Sequence, residues 1–374
     1  MHRSTAALVA TTGLVLALAG CGANSTGGSG SGGQAPSGGP APGGASVGVI
    51  LPETATSARY ESFDRPLLEK ALRAQGLTAD IENAQGDVQK FSTLADGMIN
   101  SGVKVLIIDP PNTDVGAAVE RKAQSAGIPV VDYDRLSVGG SADYYVSFDN
   151  RQIGVLQGQG LVQGRGNKPG AGVIEIEGAA TDNNATLYSQ GQRSVLDPLY
   201  KSGALKLEGG QAVPGWDNQQ AGVIFEQLLT ANGGKADGVV VANDGMAGAV
   251  ITVLRKTGLN GKVVVTGQDA TPDGLQAVLR GDQYMTVDKP IDGEADAAAK
   301  LAGALAKGDR AAADALATQS TLDPKTGRQV KSVLLDPVMI TKDKVKSVVD
   351  RGAVKASAIC VTDTQVACTQ LGIK

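Results

Sequence analysis

From Ser46 onward the chain alternates short, unbroken runs of Val, Ile and Leu with longer stretches in which apolar residues recur every third or fourth position. The runs predict strands at Val47–Leu51, Leu77–Glu82, Val103–Ile108, Ile128–Tyr133, Tyr144–Phe148, Gly172–Ile176, Leu205–Glu208, Gly238–Ala242, Lys262–Thr266, Tyr284–Val287 and Val333–Ile340. The helical period predicts Ser62–Ala74, Lys90–Asn100, Val115–Ser125, Arg151–Val162, Leu187–Tyr200, Gln219–Thr230, Ala247–Lys256 and Glu294–Leu305. Strands that are apolar along their whole length are covered on both faces, and regular strand–helix alternation makes the sheets parallel. The expected class is α/β, with two doubly wound parallel-sheet lobes. A single barrel gives the same alternation and stays open on pattern alone.

The N-terminal segment breaks the pattern. His2 and Arg3 precede the apolar runs Ala6–Ala10 and Leu14–Ala17, which close on Leu18-Ala19-Gly20-Cys21. A basic start, an apolar core too short to span a bilayer and small residues before a cut predict an export signal over residues 1–20. The ending Leu-Ala-Gly-Cys resembles the bacterial lipobox, which implies cleavage before Cys21 and lipidation of that residue. Gly22–Ala45 holds almost only Gly, Ser, Pro, Ala, Asn, Thr and Gln, and Arg3 is the only charged side chain before Glu53. Residues 21–45 are therefore expected to form a flexible tether. It would hold a domain on the order of 25–30 Å from the membrane, outside the cytoplasm.

Composition narrows the chemistry. Hydrophobic residues make up 42% of the chain but aromatic ones only 3%, so an aromatic in a polar loop stands out. A formal net charge of -4 argues against a nucleic-acid partner, which would favour a basic face. With Cys21 assigned to the lipid, Cys360 and Cys368 remain, and in an oxidising compartment they are expected to pair. The single histidine is His2, inside the segment to be removed. A mature chain without histidine has no Ser-His-Asp or Cys-His pair and no imidazole for zinc. No catalytic residue, cofactor or metal is expected.

Polar residues gather where the apolar strands end. They include Asp132-Tyr133-Asp134-Arg135, Asn243-Asp244 after Val239–Val241, and Gln268-Asp269 after Val263–Val265. Open parallel sheets bind ligands beyond the carboxyl ends of their strands. Each residue also has a purely structural reading: Asp134, Asp244 and Asp269 as helix caps, Asn243 as a turn residue. Taken together, Asp, Asn, Gln and Arg present planar, paired hydrogen-bonding groups that match neighbouring hydroxyls on a sugar ring. Trp216 is the only tryptophan and lies in the polar loop Pro214–Asn218, offering a flat apolar face. Tyr60, beside Arg59, is a second such platform.

The stretches Val131–Arg135, Tyr145–Asn150, Thr181–Ala185, Gly215-Trp216, Val241–Asp244, Gly261–Ala270 and Met285–Pro290 resemble the xylose-binding proteins of bacterial ABC importers, in the same order. Those belong to the ribose/galactose-type periplasmic binding proteins. The resemblance covers nearly all of residues 46–350. It implies the type I arrangement, in which two similar lobes are joined by three crossovers. These would fall near Phe148–Asn150, near Val287–Lys289 and just before Leu334–Leu335. One lobe would hold residues 46–148 with 288–332, the other 149–287 with 333–374. By matching positions, Arg59, Arg135, Asp182, Asn184, Asn243, Asp269 and Lys289 would hydrogen-bond the sugar, with Asp134 beside them. Trp216 and Tyr60 would stack on its faces; tyrosine at 60 departs from the tryptophan usual there.

The implied protein is a monomeric receptor, anchored through Cys21, that passes xylose or a similar aldose to an ABC permease. A sugar sensor for chemotaxis or a histidine kinase stays open. A sugar-responsive transcription regulator would need a basic headpiece where this chain has a lipobox. A surface glycosidase could find carboxylates among 38 Asp and Glu, but no histidine or cofactor motif favours it.

Overall fold

The computed structural model describes residues 46–166 and 168–374; the expected export signal, Cys21 and the tether lie outside them. The strands are β1 (Val47–Leu51), β2 (Ala79–Asn83), β3 (Val105–Ile108), β4 (Val130–Tyr133), β5 (Tyr144–Phe148), β6 (Ala171–Glu177), β7 (Leu205–Ala212), β8 (Gly238–Val241), β9 (Val264–Val265), β10 (Met285–Asp288), β11 (Gln319–Leu322), β12 (Gln329–Leu335) and β13 (Val338–Thr341). The helices are α1 (Arg65–Ala74), α2 (Val88–Ser101), α3 (Thr113–Ser125), α4 (Asn150–Arg165), α5 (Asn183–Ser202), α6 (Asn218–Ala231), α7 (Asp244–Lys256), α8 (Pro272–Arg280), α9 (Ile291–Ala306) and α10 (Arg310–Leu316). Three short C-terminal helices follow: α11 (Val345–Asp350), α12 (Ala356–Ile359) and α13 (Gln365–Leu371).

One sheet has the order β11-β12-β5-β4-β3-β1-β2, parallel except for β11 at its edge. A second parallel sheet has the order β7-β6-β8-β9. Backbone bonds from Tyr284 N–H to Val265 O (2.9 Å) and from Asp269 N–H to Val287 O (2.8 Å) lay β10 beside β9. β13 then pairs antiparallel with β10.

The continuous apolar runs have a direct cause. Val47, Val49 and Leu51 share a cluster with Leu68 and Leu72 of α1 and Leu301 of α9, while Ile50 clusters with Phe91 of α2 and Val119 of α3. In the second sheet Ile174 and Val239 join Phe225 of α6 and Val250 of α7, and Val173 and Val240 join Leu161 of α4 and Leu196 of α5. Helices therefore cover both faces of each sheet. Short polar side chains start the helices at the strand ends: Asp149 accepts from Gln152 N–H, Asp182 from Asn184 N–H, Asp217 from Gln219 N–H and Asn243 from Met246 N–H. α4 and α5 meet backbone to backbone, since a Cβ on Gly154 or Gly191 would strike Tyr188 O or Arg151 O.

Several expected elements are revised. Val333–Ile340 is not one strand: β12 stays with the first sheet to Leu335, paired with Phe148, and β13 begins at Val338 in the second. Pro337 lacks an N–H and disfavours continuation, so the chain changes sheet at Asp336-Pro337, a little beyond the expected crossover. β7 runs on to Ala212 through a bulge at Glu208, which its Gly-rich end concealed. The helix expected from Ser62 starts instead as a π-helical turn at Tyr60–Asp64 before α1. At the C-terminus Ile359, Cys368 and Ile373 pack on Leu275, Val278 and Leu279. Cys360 and Cys368 form a disulfide with Cα atoms 5.8 Å apart.

Candidate functional site

The ten candidate residues each follow the carboxyl end of a strand: Arg59 and Tyr60 after β1, Asp134 and Arg135 after β4, Asp182 and Asn184 after β6. Trp216 follows β7, Asn243 β8, Asp269 β9 and Lys289 β10. All ten line one cavity, with about 310 Å³ not filled by atoms, its mouth included. Glu53, Ser57, Tyr188 and Gln268 complete the lining and were not among the candidates. Gln268 could have been found, since it adjoins Asp269 at a strand end. Tyr188 sits on the buried face of α5 and reads as core.

Asp134 is the hub on the first-sheet side. Its backbone is left-handed (φ 59°), and its carbonyl accepts hydrogen bonds from Tyr145 Oη (2.9 Å), Ser147 Oγ (2.7 Å) and Asn184 Nδ2 (2.9 Å). Its carboxylate accepts from Arg59 Nη1 (3.1 Å) and Tyr60 Oη (3.1 Å), with Lys289 Nζ at 3.9 Å. Burial alone would raise its pKa, but Arg59, Lys289 and Arg135 outweigh burial and hold the carboxyl well below the usual range. Asp134 is thus a fixed, ionised acceptor.

Two candidates line the cavity with most of their hydrogen-bonding groups turned to protein. Arg59 donates from Nε and Nη2 to Asp64 (2.9 and 2.7 Å) and from Nη2 to Glu294 (2.9 Å). Asn184 joins Asp134 O through Nδ2, and its Oδ1 accepts from Asn150 Nδ2 (2.9 Å) and Tyr145 Oη (3.3 Å). Asn184 is a strut between elements of the two sheets.

On the second-sheet side the Trp216 indole N–H donates to Asp182 Oδ2 (3.1 Å), and Tyr188 meets the indole edge-on at 6.4 Å. Gly178 makes room for the indole, because a Cβ there would collide with its ring. The Asn243 Oδ1 that caps α7 leaves its amide nitrogen without a protein partner among the described residues. Asp269 Oδ1 pairs with the Lys289 ammonium (Nζ at 2.9 Å) and accepts from Gln268 Nε2 (2.9 Å), and Gln268 Oε1 is buried and unpartnered among the described residues. Asp134 and Asp269 cap no helix, whereas Asn243 caps α7.

The lining carries three cations (Arg59, Arg135, Lys289) and four carboxyls (Glu53, Asp134, Asp182, Asp269). Burial raises the pKa values of Glu53 and Asp182 against the pull of Arg135. Charges of both signs nearly cancel, which suits an uncharged, hydroxyl-rich ligand better than an ion. Among the described residues no group of three or more His, Cys, Asp or Glu is arranged to hold a metal.

The family described as "Periplasmic binding protein domain" matches residues 47–310. The chain belongs to that family. This periplasmic binding protein domain is 38% identical over 286 residues to the D-xylose-binding periplasmic protein of Escherichia coli (strain K12), spanning 76% of this chain and 84% of the relative. The protein of that name from Haemophilus influenzae is 37% identical, over 76% of this chain and 83% of its own. Among solved structures, a carbohydrate transporter solute binding protein from Chloroflexus aurantiacus in complex with D-glucose superposes with a TM-score of 0.76. It is 28% identical, with 84% of this chain and 98% of that one covered. The type I fold, with its strand-end cleft between two parallel sheets, is that of these sugar-binding proteins.

Proposed function

We propose that the protein is an extracytoplasmic receptor that captures an uncharged aldose, xylose or a near relative, and hands it unchanged to an ABC permease. The observation that carries this reading is the cavity itself: planar hydrogen-bonding groups of nearly balanced charge lining it together with an indole, in a chain similar to D-xylose-binding proteins. Arg135, Asn243, Gln268, Asp269 and Lys289 would bind the ring hydroxyls, and Trp216 would cover an apolar face. Tyr60 has its hydroxyl on Asp134 and Arg135 5.7 Å from its ring, so it would brace the floor as well as contact the sugar. Arg59 and Asn184 would act mainly by fixing Asp134.

Each charge-assisted hydrogen bond contributes about 1.5–3 kcal/mol. A handful of them suffices for micromolar capture, about 8 kcal/mol, after the costs of association. The lobes, residues 46–148 with 289–335 and 149–288 with 338–374 as strand pairing divides them, would hinge about the three crossovers. Closure is driven by the higher affinity of the closed state. The protein would act as a monomer, tethered by lipid on Cys21.

The reading is tested by thermal shift against a panel of neutral and charged sugars, with recovery of the bound ligand. Stabilisation by neutral aldoses, with the sugar recovered intact, is expected; a hydrolysed or oxidised product would refute it. Mass spectrometry of the membrane fraction should find acyl chains on Cys21, and Cys21→Ser should release the protein.

A further inference from the structure

Asp109 follows β3, the neighbour of β4 in the first sheet, and no part of it is exposed. Neither of its carboxylate oxygens has a hydrogen-bond partner among the described residues. Its nearest cation is Arg135, whose Nε lies 3.6 Å from Asp109 Oδ1 and 3.0 Å from Asp182 Oδ2. That Nε–H makes a well-directed hydrogen bond to neither acid. The rest of the guanidinium is held by first-sheet groups, Pro110 O (3.2 Å) and Glu53 Oε1 (3.4 Å). Of the two acids competing for Nε, Asp109 belongs to the same sheet as Arg135, and Asp182 sits across the cleft at the start of α5.

We propose that Asp109 is the resting counter-ion of Arg135: it takes the guanidinium when the cleft is open and yields it to Asp182 when the cleft closes. This rests on the hinged-receptor reading above. Opening carries Asp182 away and leaves Nε with Asp109 while Nη2 keeps Glu53 (3.4 Å), whereas closure strands Asp109 near Arg59, Tyr60, Asp134, Arg135 and Asp182. In this structure, with Asp182 within 3.0 Å of Arg135 as closure would bring it, burial, opposed by Arg135, raises the Asp109 carboxyl well above its ordinary range. In the open form the ion pair keeps it lower. The group therefore gains a proton as the sugar is bound, so affinity is full at acidic pH and falls as pH rises through the closed-state pKa. One linked proton changes affinity by at most about tenfold per pH unit. Asp109 is a positioning residue here, acting on the sugar through Arg135.

The test is calorimetry with D-xylose in buffers of different ionisation enthalpy, across pH 5 to 8, on wild type, Asp109→Asn and Glu53→Gln. Wild type should take up a fraction of a proton, and Asp109→Asn should take up none. Asp109→Asn should also bind as tightly as wild type or tighter above pH 7, because the neutral amide no longer holds Arg135 back. A purely structural role would instead weaken binding. No uptake by wild type, uptake that persists in Asp109→Asn but vanishes in Glu53→Gln, or tenfold weaker binding by Asp109→Asn would each overturn the proposal. Small-angle scattering of the sugar-free protein tests it without any ligand: Asp109→Asn should be more compact than wild type, and equal dimensions refute the counter-ion role. Absence of binding to every sugar, with the scattering difference present, would count against the receptor reading alone.

Discussion

Replacing Asp269 with alanine removes the acceptor that organises one wall of the cavity. Its Oδ1 holds Lys289 Nζ at 2.9 Å and Gln268 Nε2 at 2.9 Å, and Lys289 is 4% exposed, with Asp134 the next acid at 3.9 Å. Breaking a buried ion pair from one side commonly costs about 3–5 kcal/mol. Asp134 and the Phe148 ring, 5.4 Å from Nζ, soften that loss here. The sugar loses one or two charge-assisted bonds as well, each about 1.5–3 kcal/mol. The ion-pair loss falls on folding of the free and bound protein alike, so the loss of affinity follows from the sugar's own bonds and is about 2–4 kcal/mol, or roughly 30- to 1,000-fold. Asp269→Asn separates charge from shape. Its φ of 101° is one that asparagine tolerates better than most residues, and an intermediate loss is expected. The assay is calorimetric titration with D-xylose, paired with urea unfolding to show that each variant is folded. Wild-type affinity in a folded Asp269→Ala protein would remove this residue, and the Lys289 pair, from the site.

Gly178→Ala places a Cβ against the Trp216 ring and should push the indole into the cavity, lowering sugar affinity at least tenfold; tryptophan fluorescence and titration check this together. Removing the disulfide as Cys360→Ser with Cys368→Ser should cost about 2–3 kcal/mol by urea unfolding while leaving affinity unchanged. Asp244 accepts from Gln283 Nε2 (2.8 Å), Thr286 Oγ1 (2.8 Å) and Thr271 N–H (2.9 Å), yet burial, with Asp269 nearby, pushes its pKa up to about 7. An acid whose folded pKa exceeds its unfolded one stabilises the fold most below the unfolded value, and that contribution is lost as pH rises to 7. The stability advantage of wild type over Asp244→Asn should then shrink by roughly 4 kcal/mol between pH 4 and pH 8, as read by denaturant titration.

The parallel architecture was legible because the inner strands β1, β3, β4, β5, β6 and β8 are covered on both faces and so carry no polar alternation. The cleft was legible for a related reason. Residues such as Asp134, Asn243 and Asp269 terminate apolar strands, and a polar side chain gains nothing there unless something meets it. What stayed hidden depends on partners distant in the chain. Arg59 looks like a ligand-facing cation, but its guanidinium is shared with Asp64 and with Glu294, far along the sequence. Asp109, in the run Asp109-Pro110-Pro111, reads as an ordinary loop start, and only packing reveals that it is buried without a hydrogen bond. The break at Pro337 was visible in the residue itself, since proline is confined to strand edges and ends.

A crystal structure of the protein grown with D-xylose tests the central claim most directly. Density for one intact sugar ring between the Trp216 indole and the Asp269–Lys289 pair, with Arg135 and Asn243 on its hydroxyls, is the predicted result. A sugar bound elsewhere, or a cavity that refuses every neutral aldose at saturating concentration, would contradict the account.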